Sequence, residues 1–127
     1  MTQYVRKGAN LLTIMTNDGW WGNTPGYRQH LDYARLRAIE TRKWIARSAN
    51  TGISAVINSN GDVVKKTGWD EATFIKYSIP AITGETFFVR YGPLFYDLAL
   101  LLMGVLLLYH LSVILKRRFG PGGEGRK

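Results

Sequence analysis

From Leu94 to Leu115 the chain runs for about 22 residues with almost no polar interruption, and at about 1.5 Å per residue such a helix crosses roughly the 30 Å of a bilayer core. The run lies too far from the N-terminus to be a signal peptide, and a soluble core helix is rarely apolar on every face. A single membrane-spanning helix is therefore expected. Only Asp97 and His110 break the run. Asp97 sits beside Tyr96 near the start, where the interface can hydrate it, and His110 lies nearer the exit. Both read as hydrated or hydrogen-bonded to a neighbouring helix, with an intramembrane functional role as the competing reading. Directly after the run come Lys116, Arg117 and Arg118, then a glycine-rich tail ending in Arg126 and Lys127. By the positive-inside rule residues 116–127 form a cytoplasmic tail, which leaves residues 1 to about 92 on the opposite side.

The apolar block changes how composition is read. Hydrophobic residues make up 46% of the 127, but a sizeable share is committed to the block, so the globular part has one small core. The tail supplies four of the eight net positive charges, and the rest are scattered. No clustered basic patch supports nucleic-acid binding. The absence of cysteine excludes disulfides, thiolate metal sites and a cysteine nucleophile within the chain. His30 and His110 stand about 80 positions apart and predict no metal site; no glycine run precedes a Lys-Ser or Lys-Thr as a phosphate loop requires. Ser48 and Ser54 lack the Gly-x-Ser-x-Gly elbow. No cofactor is called for.

Ahead of the membrane block the pattern is α/β. Met1 to Lys7 reads as a short helix stopped by Gly8, and Leu11 to Met15 as a buried strand. A loop continues to Gly26, with Thr24 as cap and Pro25 at the first helical position. Gln29 to Ala49 reads as one helix, with Leu31, Ala34, Ala38, Ile45 and Ala49 on one face and Arg28, Arg35 and Arg42 along another. That arginine line is either a solvated face or a phosphate contact. Asp32 with Arg35 and Glu40 with Lys43 are expected i,i+3 ion pairs, and Arg37 and Glu40 read as structural. After Asn50-Thr51-Gly52, Ile53 to Ile57 and Asp62 to Lys66 read as a hairpin around Asn60-Gly61, whose residues suit a type I′ turn. Thr73, Ile75, Tyr77 and Ile79 alternate with Phe74, Lys76 and Ser78, which predicts a further strand ending at Pro80. Phe87, Phe88, Tyr91 and Tyr96 read as an interfacial aromatic belt, with a short strand over Phe87 to Val89 as the alternative.

The candidate functional residues lie in Thr16-Asn17-Asp18-Gly19-Trp20-Trp21-Gly22, a glycine-framed polar loop carrying two adjacent tryptophans directly after an apolar strand. Loops at strand ends are where scaffolds place recognition groups, so this one is a candidate substrate-facing wall. The competing reading has both rings capping core beneath the loop. From Gly8-Ala9-Asn10-Leu11-Leu12 through this loop, Gln29-His30-Leu31, Arg37-Ala38-Ile39-Glu40 and Arg47-Ser48-Ala49-Asn50-Thr51-Gly52, the ordered series of motifs closely resembles apolipoprotein N-acyltransferase, a member of the carbon-nitrogen hydrolase (nitrilase) superfamily.

That resemblance implies an α/β fold: the C-terminal part of a nitrilase-like α/β/β/α sandwich over residues 1–92, then the transmembrane helix 94–115 and the tail 116–127. It implies an enzyme of the cell inner membrane, with its hydrolase domain in the periplasm, that moves an acyl chain from a phospholipid donor to the N-terminal diacylglyceryl-cysteine of an apolipoprotein acceptor. In such enzymes a glutamate base, a lysine and a cysteine nucleophile do the chemistry. All three would lie upstream of Met1, so the chain reads as a C-terminal fragment, inactive alone. Trp20 would contact lipid or lipoprotein, Trp21 would pack, and Asn17 and Asp18 would shape the rim of the site by bonding to nearby backbone. The alternative function is a non-catalytic, single-span membrane protein whose truncated nitrilase-like domain only binds a partner.

Overall fold

The computed structural model describes residues 1–119. It divides into two units, residues 1–90 and 91–127.

In the first unit helix α1 (Thr2–Arg6) buries Val5 and stops as its composition demands. Gly8 takes φ +95°, its N–H donates to the Val5 carbonyl, and the Ala9 N–H reaches back to Tyr4. This paired closure needs a left-handed residue, which glycine supplies without steric cost. Strand β1 (Leu11–Thr16) follows, then a 3₁₀ turn over Gly19–Trp21 and helix α2 (Pro25–Thr41), capped by the Thr24 hydroxyl accepting from the Gly26 N–H. Strand β2 (Trp44–Ala49) runs parallel to β1, so β1, α2 and β2 form a crossover unit. Strands β3 (Ala55–Ile57) and β4 (Val63–Lys66) add antiparallel to it, giving one mixed sheet in the order β1-β2-β3-β4. Tyr27, Leu31, Ala34 and Ala38 of α2 close one face of the sheet over Leu12, Ile45, Ala55 and Ile57. That single layer is the core.

The α/β class expected from the sequence is what the structure has, while several boundaries differ. The helix expected over Gln29 to Ala49 ends at Thr41; Arg42 turns left-handed (φ 52°), and Trp44 to Ala49 extends as β2. The apolar spacing misleads because Ile45 and Ala49 fit both a helical face and an alternating strand. With the helix ended, the expected Glu40 to Lys43 pair does not form. Glu40 instead accepts from Arg37 at 2.6 Å, and Lys43, 1% exposed, donates to the Ile82 and Gly84 carbonyls. The Asp32 to Arg35 pair is present at 2.9 Å. Strand β1 is covered on one face only: Leu12 is buried, but Met15 is 87% exposed.

The hairpin turn differs from type I′. Of its two signal residues only Gly61 has positive φ, and the loop is closed by an Asn58 N–H to Asp62 carbonyl bond. Thr73 to Ile79 runs without joining a strand ladder among the described residues, so the expected strand is absent; Phe74 is 85% exposed and Tyr77 stacks on Trp44. Alternation marks a chain that fits a sheet, but a ladder also needs a neighbour.

Helix α3 (Phe87–Phe119) begins at residues for which a strand was the alternative reading, well ahead of Leu94, and it passes through Pro93. Its first turn belongs to the first unit: Thr86 caps the Val89 N–H, and Val89 is fully buried. At 33 residues α3 is about 50 Å long, long and apolar enough to cross a membrane. Lys116, Arg117 and Arg118 occupy its last turn, and the remainder of the expected basic tail lies outside the described residues.

Candidate functional site

The tryptophan loop leaves the C-terminal end of β1 and is built from short-range bonds. The Asn17 Oδ1 accepts from the Gly19 N–H at 3.0 Å, an Asx turn that reverses the chain immediately after the strand. Trp21 and Gly22 then donate to the Asp18 and Gly19 carbonyls, closing the 3₁₀ turn. The Thr24 hydroxyl donates to the Trp21 carbonyl at 2.7 Å, which joins the loop to the cap of α2.

Asp18 goes inward. It is 1% exposed and its carboxylate is held by three side chains: the Arg47 Nη2 at 2.5 Å, the His30 Nδ1 at 2.8 Å and the Thr16 hydroxyl at 3.1 Å. Its N–H donates to the Thr51 carbonyl. The Arg47 side chain is itself fully buried, with Nε donating to the Ile53 carbonyl and Nη1 without a partner among the described residues. Gly52, at φ +131°, presses its backbone against this pair, since a Cβ there would stand 2.6 Å from the Asp18 Oδ2. A carboxylate so enclosed is closed off from solvent; it ties the loop to β2 and to the turn after it.

The two tryptophans are treated differently. Trp21 lies on Gly26, where a Cβ would come within 2.8 Å of the indole, and tilts against His30 with ring centroids 5.6 Å apart. Trp20, between the two anchors, is 86% exposed. Beside His30 and Arg47 a cleft of about 350 Å³ opens, lined also by Ile14, Tyr33 and Arg37.

A family model described as carbon-nitrogen hydrolase matches residues 1–86, which take in the whole sheet, the loop and its anchors. The chain belongs to the carbon-nitrogen hydrolase family. It is 37% identical over 106 residues to an apolipoprotein N-acyltransferase of Shewanella oneidensis, covering 82% of this chain and 20% of that protein. It is 34% identical over 122 residues to an apolipoprotein N-acyltransferase of Thermotoga maritima, covering 96% of this chain and 23% of the relative. A protein of Leptospira interrogans, apolipoprotein N-acyltransferase 2, is 41% identical over 109 residues, with 84% and 18% covered. The chain thus spans about a fifth of the length of the curated relatives it matches.

Within this carbon-nitrogen hydrolase chain, Asn17, Asp18 and Trp20 share one loop, in which Asn17 and Trp20 are exposed and Asp18 is buried. Arg47 and His30, which hold the Asp18 carboxylate, are invisible to a reading of the loop alone. The signal for Arg47 is a cation at an inward position of an alternating strand, masked when β2 is taken as helix. Arg28, Arg35 and Arg42 are occupied by Tyr27, by Gly61 with Asp32, and by Asn60, respectively. Among the described residues no group of three His, Cys, Asp or Glu could hold a metal ion.

Proposed function

We propose that this chain forms part of an apolipoprotein N-acyltransferase: residues 1–92 are a partial hydrolase domain on the periplasmic side of the inner membrane, 94–115 span it, and 116–127 are cytoplasmic. The reaction transfers an acyl chain from a phospholipid to the N-terminal diacylglyceryl-cysteine of an apolipoprotein. The relatives' names and the apolar α3 support this reading. The observation that carries the site is Trp20, a large indole held out to solvent by a loop anchored at Asp18 before it and at Trp21 after it. Such a ring is positioned for an acyl chain or lipidated peptide, and a bare indole is otherwise costly to keep in water.

Asn17 and Asp18 serve the rim indirectly, one by turning the backbone and the other by anchoring it. The acyl-carrying step needs a thiolate, a strong nucleophile and a good leaving group. This chain has no cysteine, so the thiolate that carries the acyl group is not among its residues. The purified 127 residues are expected to show no transfer from a phospholipid to a diacylglyceryl-cysteine peptide, and measured turnover would overturn that. Trp20→Ala in the complete acyltransferase carrying this segment should lower transfer much more than the unfolding temperature. Equal loss of both would identify the ring as ordinary packing.

A further inference from the structure

We infer that His30 is a positioning residue, the one side chain on which both anchors of the Trp20 loop converge. Its Nδ1 stands 2.8 Å from the Asp18 Oδ1 on one side of Trp20, and its ring lies 5.6 Å from the Trp21 ring on the other. The Asp18 carboxylate, which also receives the Arg47 guanidinium, is the acceptor here, so Nδ1 donates, and that hydrogen bond holds the plane of the imidazole. The plane so fixed sets the surface against which Trp21 tilts. His30 itself rides on α2, whose start is locked by the Thr24 cap and by Pro25. The chain of contact therefore runs from a rigid helix, through one imidazole, to both shoulders of the exposed indole.

Core packing alone does not explain the residue. The His30 side chain is 36% exposed and borders the cleft beside Arg47, so it is not filling the interior. Asp18 already has Arg47 and Thr16, and Trp21 already has Gly26 beneath it. What His30 adds is the link between them, which limits how far the segment carrying Trp20 swings. Its bearing on acyl transfer rests on the role proposed for Trp20; its bearing on the loop does not.

The test is ¹⁹F NMR of the full chain in detergent micelles with fluorotryptophan at its four tryptophans, each signal assigned by a single Trp→Phe change. His30→Ala is expected to move the Trp21 resonance toward that of a solvent-exposed indole and to narrow the Trp20 line as the loop gains motion. Trp44, stacked on Tyr77, and Trp69, packed on Tyr27, should keep their positions. His30→Phe keeps the ring contact and His30→Asn keeps a donor for Asp18, so each should restore part of the native spectrum. The inference is overturned if Trp20 keeps its native line width in His30→Ala, or if Trp44 and Trp69 change as much as Trp20. Should His30→Ala fail to fold, the same comparison on the Phe and Asn variants decides: native Trp20 lines in both overturn the inference, and a narrowed line in either supports it. Neither lipid nor acceptor is present in the measurement, so its outcome is separate from that of the transferase reading.

Discussion

At the scale of single residues, the Asp18 to Arg47 pair decides how the loop is held. Both side chains are essentially without solvent, so removing one leaves the other as an uncompensated buried charge. Asp18→Ala is expected to cost about 3–5 kcal/mol in chemical unfolding followed by tryptophan emission. The double change Asp18→Asn with Arg47→Met should recover most of that loss, because an amide still accepts from His30 and Thr16 and the thioether fills the space of the guanidinium. A double variant as unstable as Asp18→Ala would show that the charge itself is needed. Asn17 was legible in the sequence because its bond is to its own turn, two residues on. Arg47, the buried partner of Asp18, lies 29 residues away on β2, and no local pattern points across that distance.

Among the elements, α1 bonds to the first turn of α3, inside the first unit, at carbonyls that Pro93 bears on. Within a helix the Val89 carbonyl would accept from residue 93, but proline has no N–H to give. The Arg6 Nε donates to that carbonyl at 2.7 Å, and its Nη2 donates to the Arg90 carbonyl at 2.9 Å. Arg6→Ala should therefore destabilise the first unit by about 1–3 kcal/mol, the range for an orphaned buried acceptor. The same change should cost distinctly less in a Pro93→Ala background, where an alanine N–H serves Val89. A thermal-unfolding double-mutant cycle measures the difference, and strict additivity would refute the dependence on Pro93. Sequence pattern identified Pro25, Gly8 and Gly61 as boundaries because each imposes a backbone angle where it stands. It missed the end of α2 because Arg42 adopts φ 52° without being a residue type that announces it. It also supplied a strand at Thr73 to Ile79 because alternation is local, whereas pairing depends on a neighbour.

For the whole molecule, the apolar composition of α3 and the arginines and lysine at its end were the most legible features, since crossing a bilayer sets length and polarity together. The absence of native cysteine makes topology directly measurable. With Ser59→Cys and Lys127→Cys singly introduced, a membrane-impermeant maleimide should label the first from the periplasmic face and the second only after the membrane is opened. Labelling of both from one face would reject a single crossing. Among the described residues β1 pairs on one edge only, and Met15 and Phe74 stand almost wholly in water. Detergent that shields α3 does nothing for that flank. Light scattering of the solubilised protein should accordingly climb with concentration even where heating is harmless, so that dilution, rather than cooling, keeps a preparation clear.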